Sequence, residues 1–527
     1  MSKSTNYLAA GLTKTLATAL AAILLATTPA AHAMSKNAVI EAQQATKMAR
    51  MRVLFQQAVN KINQEDYEAA EEEFTFIIND ADFTLLSPEL KYAVYGNLAA
   101  AQSERQKYDE AYANLMQIAS VAPDFRDEYY WYLLWKVSTH LKKYGDAIDA
   151  MTTLATTSPE DISGYYEPYI YQTVNNAKDL PDGDARREKA LEALWAAKYK
   201  PGGYYSAEGL WFSLFRIKVA KGDTARAKEL AQAFQFPATY ISLQVDKRYR
   251  SYAEADPAHF NLKSLIDKAV EDSRARSQAH PRELEGINAL IFDLMDANRL
   301  SEALALADDT LARATAAPAN KPAFDDMDDQ WHWFLNTRTR VLEKLGRYAE
   351  SEASQIQSRD ESLAKNDDVV SQRINLGAFY YEQGRPQEAL EQVKGIVAKD
   401  SSPYGLMAAE EVRACAYAQL NDQANLTKSL EYIRAHAKDG YGPARAALLC
   451  TGDVDGLATL TIRRLDDPED RNDALQTLQN YRPEPYQTAI EKQMNQVAAA
   501  VVAREDVKAA VARYGYIDSY DFPSPYN

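Results

Sequence analysis

The groups that could do chemistry in this 527-residue chain are few and scattered. His140, His259, His280, His332 and His436 stand far apart, and no HExxH or CxxC spacing gathers metal ligands. No GxSxG elbow, GxxxxGK[ST] loop or GxGxxG turn offers a local nucleophile or a phosphate cradle. A triad assembled from distant residues is the one catalytic arrangement a sequence leaves open. Acidic runs such as Glu71-Glu72-Glu73 and Asp325-Asp326 lack the spacing of a calcium loop and read as solvated faces. The expectation is a protein that is not an enzyme, with no catalytic residue, metal or cofactor. The denser signal is aromatic: Tyr129-Tyr130-Trp131-Tyr132, Tyr165-Tyr166, Tyr204-Tyr205 and Tyr380-Tyr381. Tyrosine and tryptophan stack and hydrogen-bond with little side-chain entropy to lose, which is the chemistry of binding.

The elements that must position these residues are helical. Tyr95, Asn97, Leu98, Tyr108, Ala111, Leu115, Ile118 and Pro123 form one pattern. Trp131, Leu134, Tyr144, Ala147, Met151, Leu154 and Pro159 follow the same spacing, displaced by 36 residues (131 − 95). Asn375, Leu376, Gly377, Tyr380, Gly384, Ala389, Val393 and Ile396 give a third copy. A large residue and the Leu three positions on share a helical face. The small residue comes where a second helix presses on the first, and proline ends the second helix. Weaker copies surround Tyr67, Ala70 and Phe74; Ala190 and Leu194; Trp211, Leu214 and Ala227; Leu290, Leu300 and Ala303; and Leu345, Gly346 and Tyr348. One hairpin cannot bury its apolar face alone, so such units must stack.

These units resemble the tetratricopeptide repeat superfamily. The resemblance implies an all-α fold: an α-solenoid of stacked antiparallel helix pairs in a right-handed superhelix, which binds rather than transforms. It also implies a concave surface lined by fixed positions of each first helix. Counted from the matched residues, that surface would carry Tyr129, Tyr132, Lys136 and His140 in one unit, Phe212 and Arg216 in another, and Tyr381 in a third. Trp131, Leu134 and Tyr380 would be packing residues.

The amino terminus points to export. Lys3 and Lys14 precede an apolar run from Leu16 to Ala26, and Ala31-His32-Ala33 follows Pro29. That order is a charged region, a short apolar core and a small-x-small cleavage site, a secretory signal cut after Ala33. The run falls short of the about 20 apolar residues that span a bilayer. Cleavage would leave 527 − 33 = 494 residues and remove two lysines and no acids, so the net charge becomes −16 − 2 = −18. A chain this acidic does not favour nucleic acid or anionic lipid. The expected location is periplasmic, with no integral membrane segment after cleavage. Cys415 and Cys450 lie about one repeat apart. At equivalent crossing positions their Cα atoms would be a helix diameter apart, beyond the roughly 7 Å that a disulfide tolerates. The spacing favours two buried thiols, and drift of the repeat leaves a bond open.

The expected organisation is a signal peptide at 1–33, an N-terminal solenoid at 34–313 and a linker or long loop at 314–329. A second repeat set at 330–440 and a degenerate helical cap with an aromatic tail at 441–527 complete it. Residues 34–60 read as a leading helix. The expected function is a cell-envelope scaffold holding a peptide or partner protein in the groove. The alternative is a glycan-binding accessory protein of envelope polysaccharide or cell-wall machinery, using Tyr and Trp platforms.

Overall fold

The structure, a computed structural model, describes residues 36–165, 167–202, 206–318, 320–365, 369–399 and 401–524. The expected signal peptide lies outside the described residues, as do Tyr166, Tyr204 and Tyr205. The chain is an all-α solenoid of antiparallel helix pairs, divided into two compact units at 217/218.

In the first unit, Lys36–Asn63 pairs with Tyr67–Asn79, Pro88–Glu104 with Tyr108–Val121, and Glu128–His140 with Tyr144–Thr157. Glu167–Asn176 and Gly183–Ala196 follow. The second unit holds Leu262–Ala279 and Leu284–Asp296, then Leu300–Ala316. Next come the pairs Met327–Lys344 with Tyr348–Lys365, Val369–Glu382 with Pro386–Val393, Pro403–Gln419 with Gln423–Ala435, and Tyr441–Cys450 with Val454–Asp466. The segment 314–329 lies inside this unit. It contains a loop whose Asp326 accepts from the backbone N–H of Leu284 at 2.7 Å and of Glu285 at 2.9 Å, tying it to a helix start.

The hairpins close in one way. Gln106, Lys142, Asn298, Gly346, Gly384, Asn421 and Gly452 all take positive φ, between 57° and 74°. The next residue sends its N–H back into the last helical turn: Lys107 to the carbonyl of Gln102 and Lys143 to that of Ser138, both at 2.8 Å. Arg385 reaches Tyr380 at 2.8 Å and Asp453 reaches Leu448 at 2.9 Å. This left-handed residue satisfies carbonyls the helix end would orphan. Where Asp follows, it also caps the second helix: Asp422 accepts from Asn425 N–H at 3.2 Å and Asp453 from Gly456 N–H at 2.8 Å.

Helix crossings use the expected small residues. Ala111, Ala147 and Ala389 are buried. Gly377 lets the axes close, since a Cβ there would lie 3.1 Å from Val412 and 3.4 Å from the Ala389 carbonyl. The tetratricopeptide spacing misplaces one anchor. Trp131 is half-buried, with the Arg126 guanidinium 5.2 Å from its ring, whereas Trp135 is fully buried.

Cys415 and Cys450 are bonded, with Cα atoms 5.5 Å apart. They do not occupy equivalent positions: Cys415 stands six residues before left-handed Asn421 (421 − 415) and Cys450 two before Gly452 (452 − 450). That offset, between first helices lined by buried Ala414, Ala416, Ala444 and Ala447, replaces the helix-diameter separation expected from register.

The C-terminal region returns to the start of its own unit. Asn480–Tyr481 pairs in parallel with Ser519–Tyr520. Asn472 donates to the Ser242 carbonyl at 2.7 Å, and Tyr516 N–H to that of Val245 at 3.0 Å. The described part of the aromatic tail packs within the chain, with Tyr520 and Phe522 buried in one core with Ile241 and Val245.

Two stability outcomes follow. Gly384→Ala puts a Cβ into open space, so the loss of about 1–2 kcal/mol expected from the left-handed backbone is read without a packing term. Denaturant melts that show no loss would remove the turn as a constraint. Reducing the Cys415–Cys450 bond, which spans a sequence separation of 35, should cost about 3–4 kcal/mol by loop-closure entropy, read as a lower melting temperature in reductant.

Candidate functional site

The helix Glu128–His140 carries the densest set of expected binding residues. Its start is fixed by Asp127, which accepts from Tyr130 N–H at 3.1 Å and from the Tyr92 hydroxyl. One side faces the core: Tyr130, Leu133, Leu134, Trp135, Val137 and Ser138 are buried. Trp135 locks the next hairpin by donating Nε1–H to Thr173 Oγ1 at 2.9 Å, with the Tyr169 ring 4.7 Å away. That packing leaves Tyr129, Tyr132 and Lys136 half-buried and His140 exposed on the other side.

Each of the four meets a neighbouring hairpin. Lys136 pairs with Glu104 at 2.8 Å. His140 stacks on Tyr108 with centroids 4.2 Å apart and rings 3° from parallel. The Tyr132 ring lies 5.8 Å from that of Tyr165. Burial pushes the Tyr129 phenol well above its ordinary range, and Tyr132, Glu104 and Asp127 add to it. Desolvation first, then Lys136, lowers the His140 pKa, which favours a neutral ring able to donate and accept. The resulting surface offers aromatic faces, a neutral imidazole and a held ion pair.

Glu104 and Tyr165 are contributors that the repeat count missed. Glu104 was legible in one respect: it stands 36 residues before His140 (140 − 104), the displacement between the two clearest repeats. Phe212 and Arg216 share a later helix, Glu208–Ala220, and both are half-buried, with the Phe212 ring 5.8 Å from Phe215. Phe212 and Arg216 thus lie on a different helix from Tyr129, Tyr132, Lys136 and His140, as the repeat count places them.

Tyr381 is a correction. It is 1% exposed, in the second unit, and belongs to the core rather than to an open surface. Its hydroxyl donates to Glu411 Oε1 at 2.8 Å, and its carbonyl accepts from Gln419 Nε2 at 2.8 Å. The next first helix covers it. Burial pushes Glu411 up to about 7.

Among the described residues no group of three or more His, Cys, Asp or Glu is placed to hold a metal ion. No described helix is long and apolar enough to cross a membrane. No family model matches the chain, and no curated protein matches it. Similar solved structures include a Rap protein complexed with competence and sporulation factor, at 13% identity over 80% of this chain and 99% of that one, with TM-score 0.34. Yeast Tom70 is similar at 11% identity over 89% and 96%, TM-score 0.30. The Cut9–Hcn1 assembly of the APC/C follows at 12% identity over 90% and 94%, TM-score 0.29. These are tetratricopeptide-type helical-repeat proteins. At scores this low the likeness carries nothing about a site or a ligand.

The Glu411 carboxyl predicts a pH effect with a defined sign. Its folded pKa, about 7, lies above the ordinary 4.5, so the folded chain holds a proton that the unfolded chain releases. The stability tied to the neutral acid is complete below about 4.5 and is lost as pH rises through about 7. Glu411→Gln keeps an acceptor for Tyr381 and removes the titration. Its melting temperature relative to wild type should climb between pH 5 and pH 8, and a constant difference would refute the assignment.

Proposed function

We propose that the chain is a non-catalytic, exported scaffold that holds a peptide or partner protein against the first-helix face of its N-terminal unit. The observation that carries this reading is the two-sided helix Glu128–His140. Its core side is closed, and its other side presents Tyr129, Tyr132, Lys136 and His140 beside Glu104. Rigid aromatics with a neighbouring cation are favoured anchors at protein interfaces. Phe212 and Arg216 give a later first helix the same pairing of aromatic and cation.

Two independent features support a periplasmic setting. One is the charged, apolar and small-x-small order of residues 1–33. The other is the Cys415–Cys450 disulfide, a bond that persists in oxidising compartments. An envelope glycan is the second reading. It is favoured by the Tyr132–Tyr165 ring pair and by Glu104, a carboxylate held on Lys136 of the same helix as Tyr132, because sugar rings stack on aromatics while carboxylates take their hydroxyls.

The test compares wild type with Tyr132→Ala, immobilised and crosslinked in envelope extract. Species captured by wild type should be lost from the variant at unchanged melting temperature. Once purified, the captured partner should bind the variant on the order of thirtyfold more weakly, the effect of removing an anchor of about 2 kcal/mol. Equal capture, or a melting temperature several degrees lower, would refute the site. Capture that survives protease and is abolished by glycosidase would select the glycan.

A further inference from the structure

The second unit carries a segment of its own chain along its first helices. After the short strand Asn480–Tyr481, residues 482–488 run without helix and lead into the helix Ala489–Ala503. Arg482 donates to the Asp296 carbonyl at 2.8 Å, at the end of Leu284–Asp296. Glu484 then pairs with Lys344, at the end of Met327–Lys344. The Tyr486 ring lies over Gly346, where a Cβ would come within 2.8 Å of it. Ile490 and Met494 pack on the core built from Ile374, Tyr381, Cys415 and Cys450. The helix finally lies against Tyr441–Cys450 and Val454–Asp466. The segment thus visits successive hairpins in chain order, the path of a peptide bound across stacked first helices.

The segment is lightly held and poorly matched in charge. Of the described side chains in Ala489–Ala503, Val501 is buried, while Ile490, Met494 and Val497 on the same stripe are only half-buried. Glu491 serves its own helix, accepting from Thr488 N–H at 2.6 Å in a capping box. The wall it meets is already acidic. Glu343 accepts from Ser351 at 2.9 Å and Gln355 at 3.1 Å, and Glu411 accepts from Tyr381. Burial first, then Glu343, Glu491 and Glu411, hold the Glu382 carboxyl well above its ordinary range. Arg340 is the cation that acts on Glu343 there. The inserted segment adds a fourth acidic side chain, Glu491, to a wall where burial already raises Glu343, Glu382 and Glu411.

We propose that this first-helix face is a docking surface for an amphipathic helix of a partner protein, that residues 482–503 occupy it in cis, and that the partner helix carries the apolar stripe of Ile490, Met494 and Val497 with a basic side chain where this chain has Glu491. The apolar spacing is that of a helix laid in a groove. A basic residue there pairs with these acids and favours their charged form, a gain the cis segment forgoes. The surface belongs to the second unit, so its test is independent of Tyr132.

The full chain is titrated with labelled synthetic peptides of residues 480–503: wild type, Glu491→Gln and Glu491→Lys. Gln still serves the capping box, so that peptide isolates the charge. Affinity should rise from wild type to Gln to Lys, at least tenfold overall. The Gln peptide should lose its advantage over wild type against a Glu382→Gln chain. Saturation with the Lys peptide should speed amide exchange across 482–503 in the protein. A Met494→Asp chain, whose cis helix is loosened, should bind every peptide more tightly. Equal affinities, or unchanged exchange at saturation, overturn the proposal. So does absence of binding to the Met494→Asp chain. If that chain instead dimerises through this face, the occupant is a second copy and the basic partner helix is overturned.

Discussion

The left-handed residue between the two helices of each hairpin is the constraint on which the rest depends. It helps reverse the chain within the three residues that separate the paired helices, as between Glu104 and Tyr108, so the turn itself orients the second helix relative to the first. Because φ is positive there, the next N–H reaches back into the preceding turn, as Lys143 does to Ser138 at 2.8 Å. The residue after the turn then has a defined place on the edge of the stack. Lys107 and Arg385 both occupy that place, and both pair with a glutamate of the preceding hairpin: Lys107 with Glu71 at 3.0 Å and Arg385 with Glu352 at 2.7 Å. A local backbone device thus sets the register of contacts between hairpins. It also sets which side of each first helix is left to face a ligand.

This explains what the sequence made legible. Ala111, Ala147, Ala389 and Gly377 were readable because a crossing tolerates only small side chains, whatever the rest of the hairpin does. The turns at Gly346, Gly384 and Gly452 were readable because glycine takes positive φ at little cost. Equivalent turns at Gln106 and Lys142 were hidden, since nothing in those residue types announces a left-handed backbone. Trp131 and Trp135 lie one turn apart on the same face of one helix, and a rigid repeat count assigned the core anchor to the one nearer the helix start, which is only half-buried. Tyr381 failed for a different reason. Its face was counted as open because a repeat pattern describes one hairpin, whereas exposure is set by what later segments cover.

The contacts made by the C-terminal region lay beyond any reading by period. Asp246 is fully buried and bonded to Arg248 at 2.6 Å, and Arg250 reaches Asp518 at 3.0 Å. Arg248 also donates to the Pro468 carbonyl at 3.1 Å. The last two links join residues more than two hundred positions apart (518 − 250 = 268 and 468 − 248 = 220), and the strands of this region are two residues long and carry no alternation to detect. Charge and hydrogen bonding hold them as much as apolar burial does.

That closure changes the mechanics of the second unit. A stack whose hairpins touch only their neighbours gains stability additively and can fray from either end. In the second unit the last helices bond to the first, through Asn472 to Ser242 and Tyr516 to Val245. An end tied to the opposite end frays at the cost of those ties as well, which couples the hairpins between them beyond their neighbour contacts. The segment 482–503 hangs between these ties, anchored at its start by the Asn480–Tyr481 strand and beyond its end by the helix Glu505–Tyr514. Of its helix Val501 is buried and Ile490, Met494 and Val497 are half-buried, so on the docking proposed above the segment would leave the first-helix face while both anchors stay in place. Rigidity of the frame and looseness of the strap have one origin, the placement of the long-range bonds on either side of it.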